Sequence, residues 1–215
     1  MIRYFTTSWD DGSPLDLRIV DLLRKYSLKG TFYIPKNYLH PCLSEDEIIM
    51  LSKTFEIGAH TINHVVAPSY DEIYQSKIWL GSLTRKKIKM FCYPRGKYNL
   101  EIKNNVIKAG FLGARTTKDF NLTMNDPFEM PTTVHAYTVP YRRALNFGVS
   151  WWNLRSWLPM AIQAYEIFLQ NGGIFHLWGH SWEIEKYGLW DDLEKFLKYA
   201  ASRKNIRFIP NGGLV

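Results

Sequence analysis

Two carboxylates stand side by side in Thr7-Ser8-Trp9-Asp10-Asp11-Gly12, directly after the β-favouring run Ile2-Arg3-Tyr4-Phe5-Thr6. A strand that ends in acidic residues and a glycine turn presents those residues at its tip. Neighbours on an extended backbone point to opposite sides, so one carboxylate can bind a metal while the other handles a proton. The plain structural alternative is an Asp-Asp-Gly turn closing a strand. A second group lies in Ala59-His60-Thr61-Ile62-Asn63-His64. Histidines four apart on one helical turn share a face and can share a metal, although satisfied structural histidines are commoner than ligands. A carboxylate arriving from another strand would complete three protein ligands and leave a position for water, as in catalytic sites. Asp11 is the natural candidate. Tyr93-Pro94-Arg95-Gly96 and Gly179-His180 end two later strand-like runs.

The elements that must carry these groups alternate. Ser13 and Pro14 read as N-cap and first residue of a helix to about residue 27, with Leu15, Ile19, Leu22 and Leu23 at helical spacing. Residues 31–34 read as a buried strand, and Ser44 with Glu47 as a capping box opening a helix to about residue 53. Residues 55–59 form the strand leading into His60, and Ser69 with Glu72 a second capping box, for a helix to about residue 83. Further strands are expected at 90–93, 113–117, 174–178 and 206–209, with helices at 100–109, 154–170 and 191–202. Residues 118–152 show no clear period. Such alternation argues for about seven parallel strands with helices outside, in an open sheet or a barrel. Either arrangement gathers chemistry at the C-terminal ends of the strands, where all the groups above fall.

Composition sets limits. The chain has 215 residues, 46% hydrophobic and 22% charged, ordinary values for a globular protein. It reads as a single domain, 1–215, without repeats or a linker. No apolar run is long enough to span a bilayer, and strand-like sequence starts at Ile2, so a cytoplasmic location is expected. The net charge of +7 is scattered, with one dense cluster at Arg85, Lys86, Lys87 and Lys89, so nucleic acid is not an expected partner. Cys42 and Cys92 make no disulfide framework.

Taken in order, Ser-Trp-Asp-Asp-Gly, His-Thr-Ile-Asn-His, Tyr-Pro-Arg-Gly and the late histidine resemble the polysaccharide deacetylases of the NodB-homology type, over essentially the whole chain. The resemblance implies a distorted (β/α) barrel that hydrolyses N-acetyl, or sometimes O-acetyl, groups on a sugar or glycan. It implies Asp10 as catalytic base, Asp11, His60 and His64 as ligands of one divalent metal, and His180 as general acid. Zinc suits that ligand set best, and cobalt and nickel are compatible with it. Tyr93, Pro94, Arg95, Arg115 and Trp182 are the expected oxyanion and substrate contacts. The sequence departs from the family where an arginine normally supports the catalytic aspartate, two residues before the proline of the third motif. Cys92 stands there, and Arg115 or Arg95 is expected to reach Asp10 instead. The departure leaves two alternatives open: a catalytically silent carbohydrate-binding protein of the same fold, or a hydrolase of a non-sugar amide.

Two further expectations follow. Trp151, Trp152 and Trp157 flank the irregular stretch, and Trp178 and Trp182 flank the late histidine. Indole faces suit sugars, though core packing is their commoner use. Of His176 and His180, four residues at about 3.3 Å each put His176 roughly 13 Å deeper along the strand. His180 is therefore the expected acid, and His176 a buried, hydrogen-bonded wall residue.

Overall fold

The computed structural model describes residues 2–215. Strand β1 (Arg3–Asp10) is the axis of the sheet, buried from Phe5 to its end. The chain continues through α1 (Asp16–Lys25), β2 (Thr31–Ile34), α2 (Glu45–Ser52), β3 (Glu56–Ala59) and α3 (Tyr70–Thr84). Then come β4 (Met90–Cys92), α4 (Leu100–Lys108), β5 (Gly113–Arg115), β6 (Val134–His135) and α5 (Tyr141–Phe147). The chain ends with α6 (Trp157–Asn171), β7 (Gly173–Gly179), α7 (Ser181–Lys186), α8 (Trp190–Ala201) and β8 (Arg207–Phe208).

Seven strands run parallel in the order β5-β4-β3-β2-β1-β7-β6, and the two-residue β8 adds to β1. β1 shares one edge between two neighbours, with Tyr4 and Phe5 on β8 and Ser8 to Asp10 on β2. The curled sheet is bridged between its ends by residues 130–135. Met130 N–H donates to the Ala114 carbonyl, Thr116 N–H to that of Met130, and Thr133 N–H to that of His176. The architecture is the distorted (β/α) barrel that the family resemblance implies, one of the two arrangements the alternation left open. Register places the strand ends together, with Asp10 opposite Tyr33, Ile34 opposite Ala59, Cys92 opposite Arg115 and Trp9 opposite Gly179. Behind β1 and β7, Phe5 and Phe175 stack with centroids 5.7 Å apart, and Tyr165 of α6 meets Phe175 edge-on at 5.0 Å. Such pairs contribute about 0.5–1.5 kcal/mol beyond area burial and fix the two strands that present Asp10 and His180.

Several local expectations are corrected. Ser13 does not cap α1: residues 13–16 make a separate turn, and the helix starts at Asp16 behind Leu15, which has no side-chain cap. The Ser44–Glu47 capping box forms in full. The second box is only half made, because Ser69 accepts from Glu72 N–H while the Glu72 carboxylate turns to residues 62 and 63. The stretch without a clear period holds β6, α5, a short 3-10 turn at Pro127–Glu129 and the start of another at Trp151–Arg155. Among the described residues no helix is long and apolar enough to cross a membrane, and both cysteines are free.

Candidate active site

The turn after β1 brings both aspartates to one place. Asp11 adopts φ 76° and Gly12 φ 60°, so the alternation of the strand stops at Asp10. Both carboxylates therefore enter the same cavity: Asp10 Oδ2 and Asp11 Oδ2 lie 3.9 and 3.8 Å from His180 Nε2. The expectation that they face opposite sides holds only for a regular strand.

His60 and His64 also converge, but not on a helical turn. Thr61 (φ 66°) and His64 (φ 51°) are left-handed, and the loop folds the two rings to centroids 4.7 Å apart. Glu72 holds the loop by accepting from the N–H groups of Ile62 and Asn63, each at 3.0 Å, and Asn37 N–H donates to the Ile62 carbonyl. His60 Nδ1 lies 2.8 Å from the Cys92 carbonyl, which can only accept, so Nδ1 carries the proton and Nε2 presents a lone pair. That lone pair is 3.7 Å from Asp11 Oδ1, and His64 Nε2 is 3.4 Å from the same oxygen. Asp11 Oδ1 is buried and receives no hydrogen bond, while Oδ2 accepts from Trp182 Nε1–H at 3.0 Å. Burial keeps both rings neutral, lowering His60 and, with His60 beside it, taking His64 down to about 4. Neutral imidazole nitrogens and a carboxylate oxygen gathered without donors between them suit a divalent cation.

Asp10 sits differently. Burial works to raise its pKa, but Arg115, His60 and His180 outweigh it and hold the carboxyl below the usual range. Arg115, fully buried on β5, forms the ion pair with Asp10 Oδ2 from the position directly opposite Cys92. The Cys92 thiol is 3.7 Å from the same oxygen. The guanidinium lies 4.6 Å above the Trp178 ring and 5.5 Å from Tyr33, which compensates part of its lost hydration.

The far wall is built around Glu183, in the first turn of α7. Its Oε2 accepts from His180 Nδ1 at 2.6 Å and from His135 Nε2 at 3.0 Å. Burial lowers the pKa of His135, whose ring stacks on Trp178 at 3.8 Å. For His180, burial is outweighed by Glu183, Asp10 and Asp11, and its pKa is raised. His176 is fully buried, with Nε2 2.9 Å from Ser8 Oγ and Nδ1 3.0 Å from the Pro131 carbonyl. Burial and Arg115 take it down to about 3, a neutral wall residue.

Residues 3–114 match the family model described as polysaccharide deacetylase, just over half of the chain. The chain belongs to the polysaccharide deacetylase family. No curated protein sequence matches it. Among solved structures it is similar to a Bacillus cereus polysaccharide deacetylase, at 22% identity and TM-score 0.52, over 59% of this chain and 45% of that one. The chain thus spans under half the length of that relative. A Mycobacterium smegmatis protein assigned to polysaccharide deacetylases aligns over 99% of this chain and 89% of its own, with TM-score 0.68 and 11% identity. A family 4 acetyl xylan esterase from Clostridium thermocellum, in complex with a cobalt ion, aligns over 99% and 90%, with TM-score 0.59 and 22% identity. At these identities the structural likeness is one of fold.

Within this deacetylase fold, a cavity of about 560 Å³ is lined by Asp10, Asp11, His60, His64, Arg95, His180 and Trp182 from the expected set. Tyr93, Pro94 and Arg115 do not line it. Tyr93 is buried with its hydroxyl donating to the Phe128 carbonyl, Pro94 is buried beside it, and Arg115 acts from beneath Asp10. Arg95 (φ 55°) is at the cavity rim, not at Asp10. The sequence reading missed Glu183, His135, Tyr38, Asp119, Tyr137 and Arg143. Glu183, three residues after His180 at a helix start, was the one with a readable signal. Trp157 is core, donating to the His135 carbonyl, whereas Trp151 and Trp152 are exposed and outside the cavity.

Proposed function

We propose that the protein is a metal-dependent hydrolase that removes N-acetyl, or O-acetyl, groups from a sugar or glycan. The observation that carries this reading is the buried Asp11 Oδ1, without a hydrogen-bond partner and faced by His60 Nε2 and His64 Nε2 at 3.7 and 3.4 Å. Asp11, His60 and His64 would hold one divalent cation, with zinc first and cobalt or nickel compatible. When bound, such a cation supplies Lewis acidity that lowers the pKa of water from about 15.7 towards roughly 7 and polarises the acyl oxygen.

Asp10 keeps Oδ1 free while Oδ2 is tied to Arg115, so it has one oxygen to accept a proton from water. Arg115 holds that carboxylate ionised and in place; by itself this makes Asp10 a weak base, adequate only for water already acidified. His180, held by Glu183 at Nδ1, aims Nε2 at the aspartates and would deliver a proton to the leaving nitrogen or oxygen. A backbone N–H near Arg95 would face the developing oxyanion. The silent-protein alternative arose from the missing arginine at Cys92, and Arg115 supplies that charge from the neighbouring strand.

Acetate release from acetylated oligosaccharides is the test. Chelation should abolish it and zinc or cobalt should restore it, with metal content measured alongside. Undiminished release by metal-free protein would refute the proposal.

A further inference from the structure

Beyond the cavity, residues 141–155 make an unusual surface. Tyr141 and Leu145, one turn apart on α5, are 60% and 47% exposed, and Trp151 and Trp152 in the following 3-10 turn are 67% and 55% exposed. These four large apolar groups, within one short segment, belong to neither hydrophobic cluster of the core. They are not on a loose tether. Gln163 of α6 accepts from Ser150 N–H and Asn153 Nδ2 and donates to Ser150 Oγ, fixing the turn that carries the tryptophans. Residues 130–165 contain no Asp or Glu but carry three arginines; Arg143 is paired with Asp119 at 3.0 Å, which leaves exposed Arg142 and Arg155 as the cations beside the tryptophans. Pro140 and Arg143, at the start of α5, border the cavity, so this surface adjoins the mouth of the site.

Two occupants suit exposed tryptophans, a glycan chain and a membrane interface. Sugar hydroxyls need acceptors as well as donors, and flat stacking platforms. Here the two indoles stand at 76° to each other, 5.9 Å apart, and no carboxylate is within the segment. Indoles, a tyrosine and a leucine interleaved with arginines match the chemistry of an anionic lipid–water interface instead, where amphipathic rings sit at headgroup depth and guanidinium groups meet phosphates.

We propose that residues 141–155 dock the protein on an anionic phospholipid surface and hold the cavity mouth at that interface. What the site would meet there, an acetylated sugar displayed at a membrane, rests on the deacetylase reading; the docking itself does not.

Sedimentation with vesicles tests it. The full chain should co-sediment with vesicles of mixed phosphatidylcholine and phosphatidylglycerol at low salt, weakly with phosphatidylcholine alone, and less as salt rises. Arg142→Gln/Arg155→Gln should weaken binding about fivefold per arginine, and Trp151→Ser/Trp152→Ser should reduce it at least as much. Both variants lie outside the cavity and should keep wild-type turnover of a soluble acetylated sugar, which also reports that they are folded. Failure of the wild type to bind anionic vesicles, or unchanged binding by both variants, would overturn docking. So would loss of affinity for a soluble glycan chain in the tryptophan variant without any vesicle binding, which would assign the surface to sugar. Loss of turnover on every acetylated sugar with vesicle binding intact would instead strike the deacetylase reading alone.

Discussion

The two walls of the cavity are built in different ways. The wall proposed to hold the metal comes from two chain turns, Asp10-Asp11-Gly12 after β1 and residues 60–64 after β3, and its geometry is made by left-handed residues at Asp11, Thr61 and His64. The wall proposed to carry the acid needs three segments: His135 on β6, His180 after β7 and Glu183 in α7, meeting through one carboxylate. The first is a pair of local motifs, readable because each is contiguous. The second exists only after tertiary assembly. The walls are joined by Trp182 Nε1–H donating to Asp11 Oδ2 and Ser181 Oγ–H donating to Asp16 Oδ1.

The sharpest way to test that division is on the metal side. Asp11→Asn or His60→Ala should lose both metal and turnover. Asp10→Asn should retain metal near wild-type content while kcat falls by about 10²–10⁴-fold. Metal analysis of the purified variants separates the two roles; an Asp10→Asn protein that purifies without metal would reassign Asp10 as a ligand.

On the acid side the expected losses are next in size. His180→Ala should lower kcat by at least about 10²-fold with its thermal midpoint near wild type. His176→Ala, which removes the partners of Ser8 and the Pro131 carbonyl, should cost on the order of 2 kcal/mol of stability and spare the folded enzyme's chemistry. Denaturant titration alongside kinetics reads both, and the reverse pattern would move the acid four residues inward along the strand. Glu183→Gln should lower kcat by about tenfold to a hundredfold, with KM and metal content unchanged, because it loosens the histidine without touching the metal ligands.

What the sequence made legible follows the same line. The parallel strands and outer helices follow from alternating runs, and Thr31–Ile34 was bounded to the residue, whereas the order of the strands emerges only in the fold. Cys92 and Arg115 show where reading by motif stops. The sequence named Arg115 and Arg95 as candidates to reach Asp10, and register decides between them: Arg115 faces Cys92 on the next strand and makes the ion pair. His135 was missed because β6 is two residues long and lies in a stretch without a period. Glu72 read as a helix-capping acid, yet its carboxylate serves the histidine loop, since a carboxylate in the first turn is free to choose among nearby N–H groups.

The smallest effect lies at the joint between the walls. Asp16 is fully buried, with Oδ1 accepting from Ser181 at 2.6 Å and Oδ2 without a partner. Burial pushes its pKa well above the ordinary value, and the negative charges of Asp11 and Asp10 add to the rise. A carboxyl raised in the folded state favours folding less as pH increases. In the unfolded chain it ionises near about 3.9, while the folded group stays protonated until its own higher pKa is passed. Wild-type stability should therefore fall, relative to Asp16→Asn, as pH rises above about 4. The amide keeps an acceptor for Ser181 and cannot ionise, so the variant should match the wild type at low pH and exceed it by on the order of 1 kcal/mol near neutrality. Urea titrations of both proteins at several pH values measure the difference. A gap that stays constant with pH would show that Asp16 is ionised in the fold, and that the joint is held by a charge rather than by a neutral hydrogen bond.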